Sequence, residues 1–434
     1  MKTGFLIALL VCSLGLMGQT PIITYYDDGS IKEKYHILDN DSSKVDGLYE
    51  MYSPSGNVII TGQYEKGKKQ GEFVNLYEDG SIQRTTSYKN GQKQGLTQVF
   101  DPEGHLIQEA VFADDTLTGE LKSYHPDGSL KAQTTFNNGK PEGWVISYYP
   151  NDIKREETYY KDGKPNGITR EFYETGNIKL EAELVNGLLD GEYKTYFPNG
   201  QLEMEAINRR GSRTGSVKYY YENGQLRSRG VYVNGGLEGM YEVFYDDGSP
   251  KATIPYKEGA RSGKSTEFFL SGEVQSVGIY SNHGMDADIK EYNEKGNLIQ
   301  EKIIRNELPH GKWKTYDDKE NLVLVEPYES GKLHGVKLLY EHKKLIKEET
   351  YAFGVKAGKA VDYFPNGEPE VVSHWKLNWL QGEYVRYHKN GKKYYEGTYH
   401  RNKRHGAWTY YNKKGEPEVR EMYEHGELKK KIEL

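Results

Sequence analysis

A glycine recurs every 24 residues through most of this chain, and no other feature limits its possible folds so strongly. One residue is missing from the register before Gly358, and the spacing then resumes. Internal repetition at a fixed period of this length is typical of arrays of small structural units. Fifteen of the sixteen repeat starts are glycine, and the exception is Ala287. The starts are Gly47, Gly71, Gly95, Gly119, Gly143, Gly167, Gly191, Gly215, Gly239, Gly263, Ala287, Gly311, Gly335, Gly358, Gly382 and Gly406.

Two further positions of the repeat hold aromatic residues. The position five residues after the start is aromatic in every repeat but one, where it is Leu76, and the position 17 residues after it is usually Tyr or Phe, as at Tyr64 and Tyr88. A turn glycine often stands nine residues after the start, as at Gly200. Regular aromatic residues between regular glycines predict short strands joined by tight turns.

Residues 191–214 illustrate one unit. We expect a strand from Gly191 to Phe197, a tight turn at Asn199-Gly200 with positive φ angles, and a returning strand from Gln201 to Ile207. Asn208 to Thr214 then form a longer turn to the next copy. The predicted fold class is therefore all-β: an elongated single-sheet antiparallel meander of about sixteen hairpin repeats, twisted or coiled into a ribbon, with the aromatic columns stacked as a thin core.

The ends of the chain differ from the repeats. Residues 1–18 combine Lys2 with the apolar run from Gly4 to Met17, which predicts a secretory signal peptide. Residues 19–46 are expected to be a degenerate capping repeat, 47–426 the repeat array, and 427–434 a basic capping strand whose lysines discourage edge-to-edge pairing. We accordingly expect an exported protein, periplasmic or extracellular, with no transmembrane span in the mature chain.

Composition excludes several kinds of site. Cys12 is the only cysteine and lies within the apolar run, so the mature chain would hold no disulfide, thiolate metal site or catalytic cysteine. Mean hydropathy is −0.84, too polar for one large aliphatic core, but 13% aromatic residues argue against disorder.

The repeat pattern resembles the MORN-variant repeat family, whose bacterial members often carry a YwqK-type antitoxin label. The matching residues are Gly-x-aromatic-x-x-Tyr-aromatic-x-Asn-Gly-x-Leu over Gly191 to Leu202, and Tyr-x-x-Gly-Lys over Tyr64 to Lys68. His-Gly pairs such as His310-Gly311 and His405-Gly406 add to it. The resemblance covers residues 44–426 and implies an elongated β-hairpin scaffold with roles in protein contacts and sometimes membrane association.

Nothing in the sequence predicts an enzyme or a cofactor. No phosphate loop, nucleophile elbow or His-Glu-x-x-His motif is present. His310 and His334 occupy the same repeat position, about 9.6 Å apart by strand spacing, and cannot share a metal ion. An active site would need a break in the repeat. The two breaks, 281–290 and 352–380, are interpreted as drifted repeats.

The C-terminal end carries the clearest sign of a binding surface. From Lys376 to Leu434 there are 14 Lys plus Arg against 8 Asp plus Glu, whereas the preceding residues have 44 against 56. Trp and Arg are enriched at binding hot spots. The candidate contact residues are Trp375, Trp379, Arg386 and Trp408. Trp375 and Trp408 also fit structural positions of the repeat, so Trp379 is the better candidate.

The leading hypothesis is a non-enzymatic scaffold that binds a protein partner. A glycan- or cell-wall-binding module is the alternative, and it requires a row of exposed aromatic residues along one face. A toxin-neutralising role is less favoured, because a cytoplasmic antitoxin does not fit an export signal. Nucleic acid is disfavoured by export and by the net charge of −6.

Overall fold

β-Strands and the turns between them account for nearly all of residues 18–434, the part of the chain that the computed structural model describes. The predicted signal peptide, apart from Gly18, lies outside the described residues. The only helix within residues 18–434 is a single 3-10 turn, η1 (Asn282–Gly284). The predicted all-β antiparallel meander of hairpin repeats is confirmed.

The chain divides into two compact units, and the first ends at Gly211. Within it each strand pairs antiparallel with the next. Its strands are β1 (Gln19–Tyr25), β2 (Ile31–Leu38), β3 (Gly47–Tyr52), β4 (Val58–Glu65), β5 (Lys68–Leu76), β6 (Ile82–Lys89), β7 (Gln92–Phe100), β8 (Leu106–Ala113), β9 (Thr116–Tyr124), β10 (Leu130–Asn137), β11 (Lys140–Tyr148), β12 (Lys154–Lys161), β13 (Lys164–Phe172), β14 (Ile178–Val185), β15 (Leu188–Tyr196) and β16 (Leu202–Arg209).

The second unit, Ser212–Leu434, is built in the same way. In two places one strand is split in two, at Ser262 and at His334, and both halves pair with the same neighbour. The strands are β17 (Ser212–Tyr220), β18 (Leu226–Val233), β19 (Gly236–Phe244), β20 (Pro250–Lys257), β21 (Ala260–Arg261), β22 (Gly263–Phe268), β23 (Val274–Ser281), β24 (Asp286–Tyr292), β25 (Leu298–Arg305), β26 (Leu308–Tyr316), β27 (Leu322–Glu329), β28 (Lys332–Leu333), β29 (Gly335–Glu341), β30 (Lys344–Ala352), β31 (Val355–Tyr363), β32 (Pro369–Lys376), β33 (Trp379–Tyr387), β34 (Lys393–His400), β35 (Lys403–Tyr411), β36 (Pro417–Glu424) and β37 (Glu427–Glu433).

The two turns of the repeat are the reverse of those predicted. At Asn199-Gly200 the turn spans four residues, closed by hydrogen bonds from Gly200 N–H to Phe197 O and from Phe197 N–H to Gln201 O, and only Gly200 of the pair has a positive φ. The expected long turn is instead the two-residue turn Arg210-Gly211, with φ angles of 49° and 81°. Two positive φ angles define the type I′ turn, whose twist matches that of antiparallel strands. We call these the four-residue turn and the two-residue turn.

The glycine that starts each repeat lies inside a strand, not at its beginning. Gly191 falls within β15, where Ala182 pairs with Tyr193 and Leu184 with Leu189, so that three residues of β15 face Glu183 alone. Its φ of 129° is one that residues with a Cβ rarely adopt. The periodic glycine therefore marks a β-bulge, which bends and twists the strand.

The two faces of each unit differ in chemistry. Positions 2 and 17 after the start share a face, where rings meet edge to face, as in Tyr64–Phe73 at 5.4 Å and Phe73–Tyr88 at 5.2 Å. Positions 1, 3, 5, 14 and 16 lie on the other face. There the hydroxyl of Tyr124 donates to Glu109 Oε1 at 2.7 Å. We call these the aromatic face and the charged face.

The sequence interpretation placed both aromatic columns in one core, and the structure separates them. Side chains alternate between the faces of a strand. The column at position 5 is an odd number of residues from the start and therefore points away from position 2. Its rings lie among the ion pairs of the charged face, and the column at position 17 packs on the aromatic face.

Side chains of the aromatic face are matched in pairs eleven residues apart, across the two-residue turn. The rings of Phe73, Tyr241 and Trp408 lie directly over glycines, where an added Cβ would collide with them. Other such pairs are complementary in other ways. The hydroxyl groups of Thr158 and Thr169 share a hydrogen bond of 2.6 Å, the ammonium of Lys302 lies 5.7 Å from the centre of the Trp313 ring, and Glu326 pairs with Lys337 at 2.7 Å. The glycines below the three rings are Gly62, Gly230 and Gly397.

A recurring side-chain hydrogen bond links several of the four-residue turns to the following repeat. The residue six positions after the start donates to the backbone carbonyl 23 residues later, as from Tyr173 Oη to Tyr196 O at 2.8 Å. His125 and His388 replace the tyrosine at this position and lie 3.4 and 3.2 Å from the equivalent carbonyls. The tyrosines that make this contact are Tyr77, Tyr149, Tyr173, Tyr221 and Tyr245. Tyr26, before the first repeat start, donates in the same way to Tyr52 O, 26 residues later.

We predict that Tyr173→Phe lowers the free energy of unfolding by about 0.5–1.5 kcal/mol, the usual value of one hydrogen bond. The substitution removes only the hydroxyl that donates to Tyr196 O. Urea denaturation measures the change. Tyr193→Phe in the same unit is the control and should have a smaller effect. Equal losses in the two variants would contradict a stabilising role for this recurring hydrogen bond.

The two breaks in the repeat are changes of turn. At 281–290, β23 and β24 pair without a bulge, and four residues, Asn282–Met285, replace the two-residue turn. The two residues of the bulge have moved into the turn, which is why Ala287 can stand where glycine is usual. The lost residue was expected within 352–380 but is missing earlier. Four residues separate the paired Tyr340 and Leu345, where five separate Tyr196 and Leu202, and the turn is His342-Lys343.

Candidate functional site

Basic side chains gather at the two-residue turns of the last repeats. His400, Arg401, Lys403, His405 and His425, which we call the C-terminal basic edge, are all exposed. Together with Arg404 they line an open cleft of about 340 Å³. Because β34, β35 and β36 begin or end here, the turns at 401–402 and 425–426 bring these residues to one edge of the sheet.

The three histidines of the edge lie close together. The ring centres of His400 and His405 are 6.2 Å apart, and those of His405 and His425 are 6.4 Å apart. Gln381 holds the first of them, with its Nε2 3.2 Å from His400 Nδ1. No carboxylate lines the cleft among the residues described. The N–H groups of the imidazoles and of the cationic side chains thus line one cleft that is open to an acidic group.

One carboxylate lies just outside the cleft. Glu427 forms an ion pair with Lys429 at 2.6 Å, and this contact is the main reason why the pKa of Glu427 lies below its usual value. Lys403 and His425 add to the lowering. Since Glu427 already has Lys429 as its partner, the cations of the C-terminal basic edge remain available to an external anion.

Arg404 ties the edge to the core. Its guanidinium lies 4.2 Å from the centre of the Trp408 ring and donates to Tyr410 Oη at 2.7 Å and to Tyr423 Oη at 3.2 Å. Burial opposes the charge, but these hydrogen bonds outweigh it and raise the pKa of Arg404. Arg404 is therefore a fixed cation that positions the turn.

Trp379 lies at the same edge of the sheet as the basic residues. It follows the two-residue turn Leu377-Asn378 and occupies the repeat position that Lys403 holds one repeat later. Its side chain is 50% exposed. An exposed indole beside a group of cations is a combination that protein interfaces favour.

The other three predicted contact residues are placed differently. Trp408 is fully buried and offers a partner no accessible surface. Trp375 is half-buried, with Lys356 Nζ 3.8 Å from its ring centre, and its indole N–H donates to Ser373 Oγ. Arg386 lies four residues after the repeat start, on the aromatic face, and donates to Glu370 Oε1 at 2.9 Å. The structure thus brings Trp379 alone of the four to the C-terminal basic edge.

Sequence reasoning found the charge of this region but not its geometry. His405 was noted only as part of the His-Gly pair of the repeat pattern, and the turns that the three histidines flank were assigned wrongly. The usable signal was that Arg401 and His425 stand two residues after the column at position 17, where most other repeats have Asn or Asp.

Two further observations concern ions and membranes. Within residues 18–434, no group of three or more His, Cys, Asp or Glu side chains has a geometry suited to a metal ion. The same residues contain no helix with the length and apolarity needed to cross a bilayer.

A family model described as the MORN repeat variant matches eight segments of the chain. The segments are 45–66, 69–90, 117–138, 165–186, 189–207, 213–234, 237–258 and 380–401. The chain is a MORN-variant repeat protein. MORN repeats in general are modules for contact with proteins or membranes, in a family of non-catalytic scaffolds. The last matched segment of this MORN-variant protein includes Trp379's neighbour Leu380 and the basic residues His400 and Arg401.

Comparisons with other proteins add little to this. A search of the curated proteins found no match. Three solved structures are similar in part: crystal structures of TcdB2-TccC3-TEV and TcdB2-TccC3-Cdc42, and the Photorhabdus luminescens Tc holotoxin pore with a TccC3 mutation. Identities are 11%, 11% and 12%, TM-scores 0.14, 0.14 and 0.15, and the matches cover 93%, 92% and 93% of this chain. They cover 29%, 28% and 22% of those chains, so the MORN-variant chain spans less than a third of each.

Proposed function

We propose that this MORN-variant protein is a non-catalytic scaffold that binds an acidic protein partner through the C-terminal basic edge and Trp379. The observation that carries the proposal is the cleft lined by six basic side chains without a carboxylate, at the edge where Trp379 is exposed. The positive charge of this cleft also contrasts with the net charge of −6 of the whole chain. Half-buried Arg404, held by Tyr410 and Tyr423, fixes the cleft, so little order has to be gained on binding.

The arrangement of the exposed aromatic residues favours a protein partner over a glycan. A glycan-binding face would need aromatic rings at one repeat position, in a row. The aromatic side chains that are most exposed stand at different repeat positions, and among them only the rings of Trp144 and Tyr159 contact each other, with centres 5.3 Å apart. They are Tyr25, Trp144, Tyr159, Phe353, Trp379 and Tyr394.

We propose in addition that the protein acts in the cell envelope or outside the cell. The support is the apolar run from Gly4 to Met17 after Lys2, which has the pattern of a secretory signal. The antitoxin label of some family members receives no support from this chain.

The test is affinity capture from native envelope extract with the tagged full-length protein. We expect one protein to be recovered reproducibly with the wild type, and its recovery to fall about tenfold or more with Arg401→Glu/Lys403→Glu, because reversed charges repel an acidic partner. The matched control is Lys413→Glu/Lys414→Glu, which makes the same charge change at the four-residue turn of the next repeat. Equal recovery with both double variants, or no reproducible partner, would refute the proposed surface.

A further inference from the structure

A second surface lies on the charged face of the second unit, on the strands and not at the turns. Strands β23 to β26 line an open groove of about 600 Å³ there. Val277, Ile279 and Ile303 form its floor, and Ile279 is 58% exposed. An aliphatic side chain that remains this accessible on a sheet face, within a groove, indicates a site where another apolar group is buried.

The rim of the groove is charged and carries an excess of cations. Lys290, Lys312 and Lys314 face Asp288 and Glu301. Glu301 already pairs with Lys314 at 2.9 Å and with Lys290 at 3.3 Å, and the contact with Lys314 is the main cause that lowers the pKa of Glu301.

Of the two other charged residues of the rim, Asp288 has an ion-pair partner and Lys312 has none among residues 18–434. Asp288 pairs with Arg305 at 2.8 Å. Lys312 is exposed and takes part in no ion pair within residues 18–434. Both acids of the rim already have cationic partners, and Glu301 has two lysines for its single negative charge. The groove therefore presents Lys312 and one further positive charge beside Glu301 to an external anion.

The apolar floor repeats along the unit. The position 16 residues after the repeat start is apolar in five successive repeats of this unit, at Val231, Pro255, Ile279, Ile303 and Pro327. Neighbouring members of this row are two strands apart, which is about 9.6 Å. A polyproline II helix has three residues per turn and a rise of about 3.1 Å, so its pitch is about 9.3 Å. A peptide in this conformation that has an apolar side chain at every third residue therefore keeps step with the row.

We propose that the groove binds an extended acidic peptide segment, in polyproline II conformation, with an aliphatic residue at every third position. The aliphatic side chains bury on Ile279 and Ile303, and the carboxylates pair with Lys312 and the lysines around Glu301. This inference rests on the proposed function as a protein-binding scaffold, but it concerns a different surface from the C-terminal basic edge.

The probe is a fluorescent twelve-residue peptide, (Glu-Leu-Pro)₄, titrated against the full-length protein by anisotropy. We expect saturable binding that weakens at least about tenfold with Lys312→Glu and with Ile279→Asp. Lys413→Glu is the matched control for charge and should leave the affinity unchanged. Circular dichroism and thermal unfolding of each variant verify that it is folded. The uncharged substitution Ile279→Ser replaces Ile279→Asp if the latter does not fold.

Two further peptides and one variant separate the possible outcomes. (Lys-Leu-Pro)₄ should not bind, and a peptide of the same composition with the Glu, Leu and Pro residues in blocks should bind at least about tenfold more weakly. Equal binding of the block peptide, or no binding of (Glu-Leu-Pro)₄, would overturn the proposal. Arg401→Glu/Lys403→Glu should keep the affinity for the peptide. Loss there would place the peptide at the C-terminal basic edge and also overturn it, whereas a failed capture experiment with intact peptide binding would refute only the proposed function.

Discussion

Trp408→Ala is expected to lower the free energy of unfolding by about 3–5 kcal/mol, as for other buried Trp-to-Ala changes. Trp408 is fully buried, and its ring lies 5.1 Å from that of Tyr399 and 6.0 Å from that of Tyr384, centre to centre. Its indole N–H donates to Thr398 O, and Arg404 stacks on the ring. The substitution leaves a cavity and removes the cation–π contact together.

Urea denaturation and native-state hydrogen exchange measure this loss. Each repeat contacts mainly its neighbours, so the loss should be concentrated in the last repeats. Trp379→Ala, at a half-exposed indole, is the matched control and should change stability by about 0.5 kcal/mol or less.

A double-mutant cycle with Gly397 tests the cause. An alanine Cβ at Gly397 would collide with the Trp408 ring, so Gly397→Ala alone should destabilise the protein by about 1–3 kcal/mol. In the Trp408→Ala background the same change should be neutral or stabilising, because the ring is gone and alanine suits a strand better than glycine does. Additive losses would show that the pair does not interact as described.

Arg170→Met is expected to destabilise the first unit by about 2–3 kcal/mol at pH 7. Arg170 bridges Glu157 at 3.0 Å and Glu181 at 2.6 Å on the charged face. Only 8% of the Glu157 side chain is exposed. Removing one partner of a buried ion pair costs roughly 3–5 kcal/mol, and the smaller value expected here reflects Lys154, which still pairs with Glu157 at 2.7 Å.

The loss should depend on pH. Burial raises the pKa of Glu157, but hydrogen bonds from Lys154 and Arg170 outweigh it and hold the pKa below its usual value. A carboxyl group with a lowered folded-state pKa contributes stability above its unfolded pKa, about 4.3, and this contribution disappears as the pH falls through the folded value. The difference between wild type and Arg170→Met should therefore shrink below about pH 4.

Arg155→Met is the matched control for this prediction, since Arg155 is exposed on the neighbouring strand. It should have little effect at either pH. Urea denaturation at pH 7 and at pH 3.5 gives both differences. A loss that is the same at the two pH values would show that Arg170 stabilises the unit by packing and not by its charge.

The repeat and its strands could be predicted from the sequence because glycine and aromatic spacing report directly on turns and faces. The position of the turns could not, because Asn199-Gly200 and Arg210-Gly211 both look like turn dipeptides. Only hydrogen bonding distinguishes a turn of four residues from one of two. The role of Gly191 was hidden for a related reason, since a bulge glycine and a turn glycine need the same positive φ.

The candidate site was predicted in part. The excess of Lys and Arg after Lys376 and the choice of Trp379 over the other tryptophans came from the sequence alone. The grouping of His400, His405 and His425 could not be predicted, because they stand at three different repeat positions that meet only when the two-residue turns are folded. The groove above Ile279 was missed because the row at position 16 holds no aromatic or charged signature.

The matched pairs eleven residues apart bear on how such a chain can grow by duplication of its gene. Each pair, such as Gly397 and Trp408, straddles a two-residue turn. A copied segment whose boundaries fall in the four-residue turns carries its pairs with it and can be inserted anywhere in the series. A copy cut at the two-residue turn separates the two members of a pair and places each opposite a residue from another repeat. A large ring such as that of Trp408 can then meet a side chain instead of the glycine over which it had packed. The four-residue turns are thus the boundaries at which a repeat can be gained, lost or exchanged without separating these pairs.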